Sequence, residues 1–182
     1  QSQLQGDCAL SVSLAREQAS ITHAHPLAQD GAALIAAAVH TAWEMQATSL
    51  PADLWFQKVV QHANVTNPNR WASRMAQAVH WLQPPAAAPG PREVAAQLGN
   101  GISALDSCVT SLYLAARFIR SDFQQLLEFV QRMGGDADTI AAMAGSIYGA
   151  TRGEASLPAD VLATLEDRAD LRQLALQLTS PA

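Results

Sequence analysis

Alanine is the dominant apolar residue of this chain, and the β-branched runs that strands favour are scarce. Alanine is the best helix former, because it loses no side-chain freedom in a helix and crowds no neighbouring turn. Apolar residues make up 49% of the chain but aromatics only 5%. A core filled by such small side chains requires helices that approach one another closely. The pattern therefore predicts an all-α fold, with no convincing strand and no internal repeat. The chain has 182 residues, long enough for one domain with a real core.

The helical periods can be followed along the chain. Residues 4–18 read as a first helix, ended by the turn Ile21-Thr22-His23-Ala24-His25-Pro26, since Pro26 pushes His25 out of helical geometry. A long helix over 28–46 follows, in which Gly31, Ala32 and Ala36 allow close approach. Pro51-Ala52-Asp53 restarts a helix through Trp55, Val59 and Val60. Residues 64–69 are turn-rich, and another helix reaches Leu82. Pro84 to Pro91 cannot be helical and reads as a surface loop within the domain. A short segment from Arg92 to Leu98 leads to the tight loop Gly99-Asn100-Gly101. A strongly apolar helix spans 104–119, and Ser121-Asp122 opens the next, which Gly134-Gly135 ends. A helix from Asp138 or Thr139 runs to Gly149. Leu157-Pro158 opens a last segment of two short helices. The chain begins at Gln1 rather than Met, already in a helical pattern, which reads as a fragment or a processed chain.

Several function classes are disfavoured. The formal net charge is −5, with no basic patch interleaved with aromatics, so nucleic acid is not a direct partner. The longest apolar stretch, Gly31 to Val39, is too short to span a bilayer, and no secretory signal is visible. Cys8 and Cys108 make no disulfide framework. Cytoplasm is the default compartment.

Chemistry concentrates at Gly134-Gly135-Asp136-Ala137-Asp138-Thr139. The glycines permit a sharp turn. Two carboxylates and a hydroxyl then follow within four residues, a compact set of hard oxygen donors of the kind Mg²⁺ favours. The spacing equally suits a plain reading, a glycine C-cap followed by an acidic N-cap. It does not suit an EF-hand, because Ile140 and Ala142 fall where that loop needs oxygen.

Gly134 to Ala150, GGDADTIAAMAGSIYGA, closely resembles the C-terminal signature of the ADP-ribosylglycohydrolase family, and Gly153 and Leu157-Pro158 continue the match. Leu98 to Ala104, LGNGISA, with the helix through Tyr113, resembles a second family segment. Ile21-Thr22-His23, before the helix from Gly31 to His40, resembles a third. The detail is closest to the branch that removes ADP-ribose from serine and from poly(ADP-ribose).

The resemblance implies an all-α, orthogonally packed multi-helix domain, of which residues 1–182 form the C-terminal part. It implies a hydrolase that cleaves the glycosidic bond between ADP-ribose and a protein side chain or another ADP-ribose. It implies a centre of two Mg²⁺ ions, or Mn²⁺ in their place, with Asp136, Asp138 and Thr139 among the ligands. His23 is expected to line the ADP-ribose cleft, and Gly99, Asn100, Gly101 and Ile102 to form its wall. The family's catalytic Glu and its Thr-Asp-Asp metal ligands have no counterpart in this chain, so both are expected from an N-terminal half of the same fold. The other reading is a non-catalytic remnant that binds ADP-ribose or a partner.

The remaining features carry less. His25 flanks a turn and reads as a cap. His40 and Glu44 make a helix-surface pair. His62 and His80 have no partner visible in the sequence. Trp43, Trp55, Trp71 and Trp81 read as core or interface residues rather than base-stacking ones. Ser107-Cys108 lacks the elbow and the base of a nucleophile. Arg152 to Glu154 read as a solvated charged face.

Overall fold

The structure is a computed structural model that describes residues 7–44, 50–84 and 86–179. The chain is all-α, and no strand occurs among the described residues. The helices are α1 (Cys8–Ser20), α2 (Pro26–Glu44), α3 (Ala52–Ala63), α4 (Pro68–Leu82), α5 (Pro91–Gln97), α6 (Ala104–Phe118), α7 (Phe123–Met133), α8 (Ala137–Arg152), α9 (Ala159–Thr164) and α10 (Arg168–Thr179). The expected helix start at Leu4 and end at Gln46 lie outside the described residues. α8 is longer than its sequence pattern suggested. It begins at Ala137 and runs through Arg152 until Gly153, at φ +73°, stops it. α7 begins at Phe123, with Asp122 as an N-cap whose side chain makes no capping bond.

Local chemistry sets several of these boundaries. Asp7 accepts the Ala9 N–H at 3.0 Å and caps α1. The His25 imidazole accepts the Leu27 N–H through Nδ1 at 3.2 Å, so this histidine caps the start of α2. Pro68 and Pro91 open α4 and α5, where the missing N–H leaves no intrahelical bond unmade.

α6 is the central helix, buried from Ser107 through Ala116. Its buried Ser107, Thr110 and Ser111 hydroxyls are all hydrogen-bonded. The Ser111 hydroxyl donates to the Ser107 carbonyl at 2.8 Å. α2 packs against α1, α3, α6 and α8, presenting Ala33, Leu34, Ala37, Ala38 and Ala42 without exposed surface. The alanine-rich composition serves this close approach. An added Cβ at Gly31 would lie 2.9 Å from Cys108 Sγ and 3.0 Å from Ala104 Cβ, so α2 and α6 meet there almost backbone to backbone.

A buried carboxylate ties the first half of the fold together. Asp30 is wholly buried and accepts Arg16 Nη1 at 2.6 Å. It also accepts the Thr66 N–H at 2.9 Å and the Thr66 hydroxyl at 3.0 Å. Arg16 reaches on to the Ala63 and Asn64 carbonyls, both at 3.1 Å. A charge taken out of water is tolerable only when paired and hydrogen-bonded, and here the pairing joins α1, α2 and the turn before α4. Burial pushes the Asp30 carboxyl up, but the Thr66 N–H, the Arg16 guanidinium and the Thr66 hydroxyl outweigh it and hold it below its ordinary value.

The proline-rich stretch is a loop over residues 86–90, but Pro91, expected outside any helix, is the first residue of α5. Arg117 Nη1 donates to the Pro89 carbonyl at 2.7 Å and holds the loop against the domain. The same guanidinium lies 4.5 Å from the centre of the Phe129 ring. His62 does have a partner, the Thr41 hydroxyl, 3.3 Å from its Nδ1. Trp55 and Trp71 are core residues, whereas Trp43 is 51% exposed. Among the described residues, α9 and α10 contribute no buried side chain. No helix among the described residues is long and apolar enough to cross a membrane.

Candidate metal centre

Three oxygen-bearing side chains meet at the start of α8. α7 ends at Gly134 and the chain reverses through Gly134 and Gly135, at φ +65° and +72°, a region open to glycine at little cost. Asp136 is then the N-cap position of α8, but its side chain does not cap the helix. Its Oδ1 instead accepts the Thr139 hydroxyl at 2.9 Å. Asp138 Oδ1 accepts the Thr139 N–H at 2.9 Å. The Thr139 N–H is the main cause that holds the Asp138 carboxyl below its ordinary value. Asp138 is therefore ionised at neutral pH, beside a second carboxylate at the solvent-facing mouth of the turn.

This geometry bears on the two sequence readings. An N-cap aspartate accepts from the second or third N–H of its helix, and Asp136 does not. Its oxygen is turned to a hydroxyl within the cluster, and two acidic groups lie together with no cationic side chain between them in the hydrogen bonds described. Hard oxygen donors of this type, open to water on one side, are the set a small divalent cation takes. The residues present fit part of a magnesium shell. Among the described residues, no group of three His, Cys, Asp or Glu comes together at metal-binding separation, so the remaining ligands would have to be water or donors from elsewhere.

The Gly99–Ile102 loop lies directly against this turn. The Asp136 N–H donates to the Asn100 carbonyl at 2.8 Å, and Asn100 Nδ2 donates to the Met133 carbonyl at 2.9 Å. Behind the loop, Thr110 donates to the Gly99 carbonyl at 2.7 Å. Asp106 fills its concave side, so a Cβ at Gly99 (φ +98°) would sit 2.6 Å from Asp106 Oδ1. Asp106 is held in turn by Arg74 at 2.7 Å and by the Ser103 hydroxyl at 2.6 Å. Ile102, at the rim, is 89% exposed.

The structure thus brings Asp136, Asp138, Thr139, Gly99, Asn100 and Gly101 into one unit. His23 belongs to a different turn, where its Nδ1 lies 2.8 Å from the Thr22 hydroxyl and its side chain is exposed. Because Gly31 early in α2 abuts Ala104 at the start of α6, the His23 turn and the Gly99–Ile102 loop flank the same end of that helix pair. Asp106 and Arg74 were not singled out by the sequence reading. Ser103-x-x-Asp106 carries the form of a capping box, and Ser103 does accept the Asp106 N–H, so that signal was present.

Next to the cluster lies an apolar groove of about 700 Å³. Gly31, Ile35, Val39 and Trp43 form its floor along α2, with Cys108 and Met143 at the α6 and α8 walls. Met143 is one turn beyond Thr139 on the same face of α8. Burial pushes the Cys108 thiol up to about 11, against a smaller opposing effect of Ser107, which fits a packed thiol rather than a nucleophile.

The sequence profile of the ADP-ribosylglycohydrolase family matches residues 4–182, and the chain belongs to that family. It is 33% identical over 167 residues to ADP-ribosylhydrolase ARH3 of Homo sapiens, covering 79% of this chain and 45% of that protein. Against ADP-ribosylhydrolase ARH3 of Bos taurus the identity is 32% over 167 residues, with the same two shares, 79% and 45%. An uncharacterized protein of Archaeoglobus fulgidus is 43% identical over 82 residues, 45% of this chain and 26% of that protein. The chain spans a little under half the length of the ARH3 relatives it matches.

Proposed function

We propose that this chain is the part of a magnesium-dependent ADP-ribosylglycohydrolase that supplies half of the metal shell and one wall of the ADP-ribose cleft. The observation that carries this reading is the convergence of Asp136, Asp138 and Thr139 on one turn, with Asp136 engaged to Thr139 instead of capping its helix. The names of the ARH3 relatives and the family match support the reaction class.

In this reading Asp136 and Asp138 hold the cation through their side-chain oxygens, and the Thr139 hydroxyl adds a further donor. Magnesium bound there would orient the ribose hydroxyls and polarise the centre at which the glycosidic bond breaks. Ile102 offers an apolar contact from the Gly99–Ile102 loop, and His23 approaches ADP-ribose from the neighbouring turn. The catalytic Glu and the other metal ligands come from the rest of the domain, as more than half of each ARH3 relative lies beyond the matched stretch. A helix of that remainder occupies the groove over Gly31, Ile35 and Val39. The groove is apolar, and Met143 in its wall stands one turn of α8 from Thr139, where further donors would complete the shell.

A binding-only remnant of the fold is the second reading. It is favoured by the absence, among the described residues, of a third acidic or imidazole group in the cluster. Incubating the full-length protein with an ADP-ribosylated peptide, and with poly(ADP-ribose), separates the two. Release of ADP-ribose that requires Mg²⁺ and stops with chelator is the expected result. Binding of ADP-ribose by calorimetry without any release would replace the hydrolase reading with the second one.

A further inference from the structure

The resemblance places Asn100 in the loop expected to form the wall of the ADP-ribose cleft. The structure gives its amide another task. Nδ2 is committed to the Met133 carbonyl at 2.9 Å, the last residue of α7, while the carbonyl of the same residue takes the Asp136 N–H at 2.8 Å. One residue therefore bonds both sides of the Gly134–Gly135 reversal, immediately before the first acidic side chain of the cluster. The fit leaves no slack. A Cβ at Gly135 would lie 2.1 Å from the Asn100 carbonyl oxygen and 2.6 Å from Nδ2. Asn100 is itself fixed from behind, because Thr110 holds the Gly99 carbonyl and Asp106 packs into the loop under the grip of Arg74 and Ser103.

We propose that Asn100 is a positioning residue that acts through Asp136, clamping the end of α7 to the start of α8 so that the two carboxylates and the Thr139 hydroxyl face one point. The inference rests on the metal reading above and adds to it a residue that touches neither cation nor substrate through its side chain. Its amide is the informative part. A backbone bond to Asp136 survives any substitution, but the bond to Met133 needs a donor of this length. Partners that orient metal ligands in this way typically change metal affinity about 10- to 100-fold when removed.

The test uses Mn²⁺ as probe, titrated by calorimetry and by paramagnetic resonance into the full-length protein, with KM and kcat measured on an ADP-ribosylated peptide. Asn100→Ala is expected to weaken Mn²⁺ binding about tenfold or more, with any rise in KM smaller than the loss of Mn²⁺ affinity. Asn100→Ser, whose shorter donor leaves the loop backbone least disturbed, serves if the alanine variant does not fold, with the same expectation. Asp138→Ala is run alongside. A raised KM with unchanged Mn²⁺ affinity in the Asn100 variants makes Asn100 a substrate contact and overturns the inference. If Mn²⁺ affinity falls for Asp138→Ala but not for the Asn100 variants, the inference alone is overturned. If it falls for none of them, the metal reading fails and takes the inference with it.

Discussion

The Thr139 hydroxyl donates to Asp136 Oδ1 at 2.9 Å, across one turn of α8. That bond turns the Asp136 oxygen away from the helix amides and into the cluster with Asp138. Breaking it has a specific consequence. Thr139→Val keeps the shape and removes the hydroxyl, so Mn²⁺ affinity should fall in the full-length protein with little change in melting temperature. Asp138→Ala removes a charged donor from a fully solvated position and should abolish Mg²⁺-dependent release of ADP-ribose. Undiminished turnover in Asp138→Ala would remove that residue from the metal shell.

The glycine reversal makes a second prediction. Gly135 is at φ +72° and has Asn100 pressed against its missing side chain. Gly135→Ala combines an unfavourable left-handed angle, about 1–2 kcal/mol, with a collision against backbone that cannot move aside. Urea denaturation should register a loss at least that large. Gly134→Ala meets nothing within 4 Å of the added carbon, so it should cost only the backbone part, about 1–3 kcal/mol at φ +65°, ψ −158°.

Acid should loosen the molecule through Asp30. Its folded carboxyl lies below its ordinary value, whereas the unfolded value is about 3.9. A depressed acid stabilises the fold above the unfolded value, and that contribution is lost as pH falls through the folded one. Melting temperature should therefore decline steeply on acidification below about pH 4. Asp30→Asn should flatten this decline and cost about 3–5 kcal/mol at neutral pH, because Arg16 is left without its counter-charge.

The loop holds a residue of a different kind in Ile102, which is 89% exposed. Ile102→Ala should raise KM for an ADP-ribosylated peptide and leave Mn²⁺ affinity as it was. Equal Mn²⁺ affinity for wild type and variant, with KM also equal, would take Ile102 off the cleft wall.

The groove over α2 should be solvent-accessible only when the rest of the domain is missing. Ala36 lines it, and an arginine there points a charge at whatever packs on the floor. Ala36→Arg should lower the melting temperature of the full-length protein by several degrees, since one or two kcal/mol shifts a domain of this size by that much. In the chain 1–182 alone the same substitution should be neutral or raise solubility. An unaffected full-length protein would leave the groove open to water and reassign the occupant.

Much of this was written in local pattern. The alanine stripe of α2, the proline breaks at Pro26, Pro51 and Pro91, and the Gly-Gly stop of α7 are short-range signals, so the helices could be placed from the chain alone. The signature around Asp136, Asp138 and Thr139 was equally legible as a resemblance. What was not legible is long-range. Nothing near Asp30 announces Thr66 as its donor, and nothing near Asn100 announces Met133 and Asp136, since those bonds exist only once α6 and α8 are packed. Trp43 reads from the sequence as a core or an interface residue, and the choice between the two is long-range: it stands at the edge of the groove with half its surface in water. Asp106 carried a visible capping-box form, but its partner Arg74 comes from a helix two elements away.

The Asn100 clamp also says something about portability. The six residues from Gly134 to Thr139 look self-contained, a cassette that could be pasted between any two helices. They are shaped instead by a loop some thirty residues upstream, which dictates that Gly135 be bare and hands Asp136 its hydrogen-bond acceptor. A graft of the acidic cassette alone into a foreign hairpin would carry the acidic side chains without the mould that casts them. The transferable unit is the pair of loops, and drift in one must be answered by drift in the other.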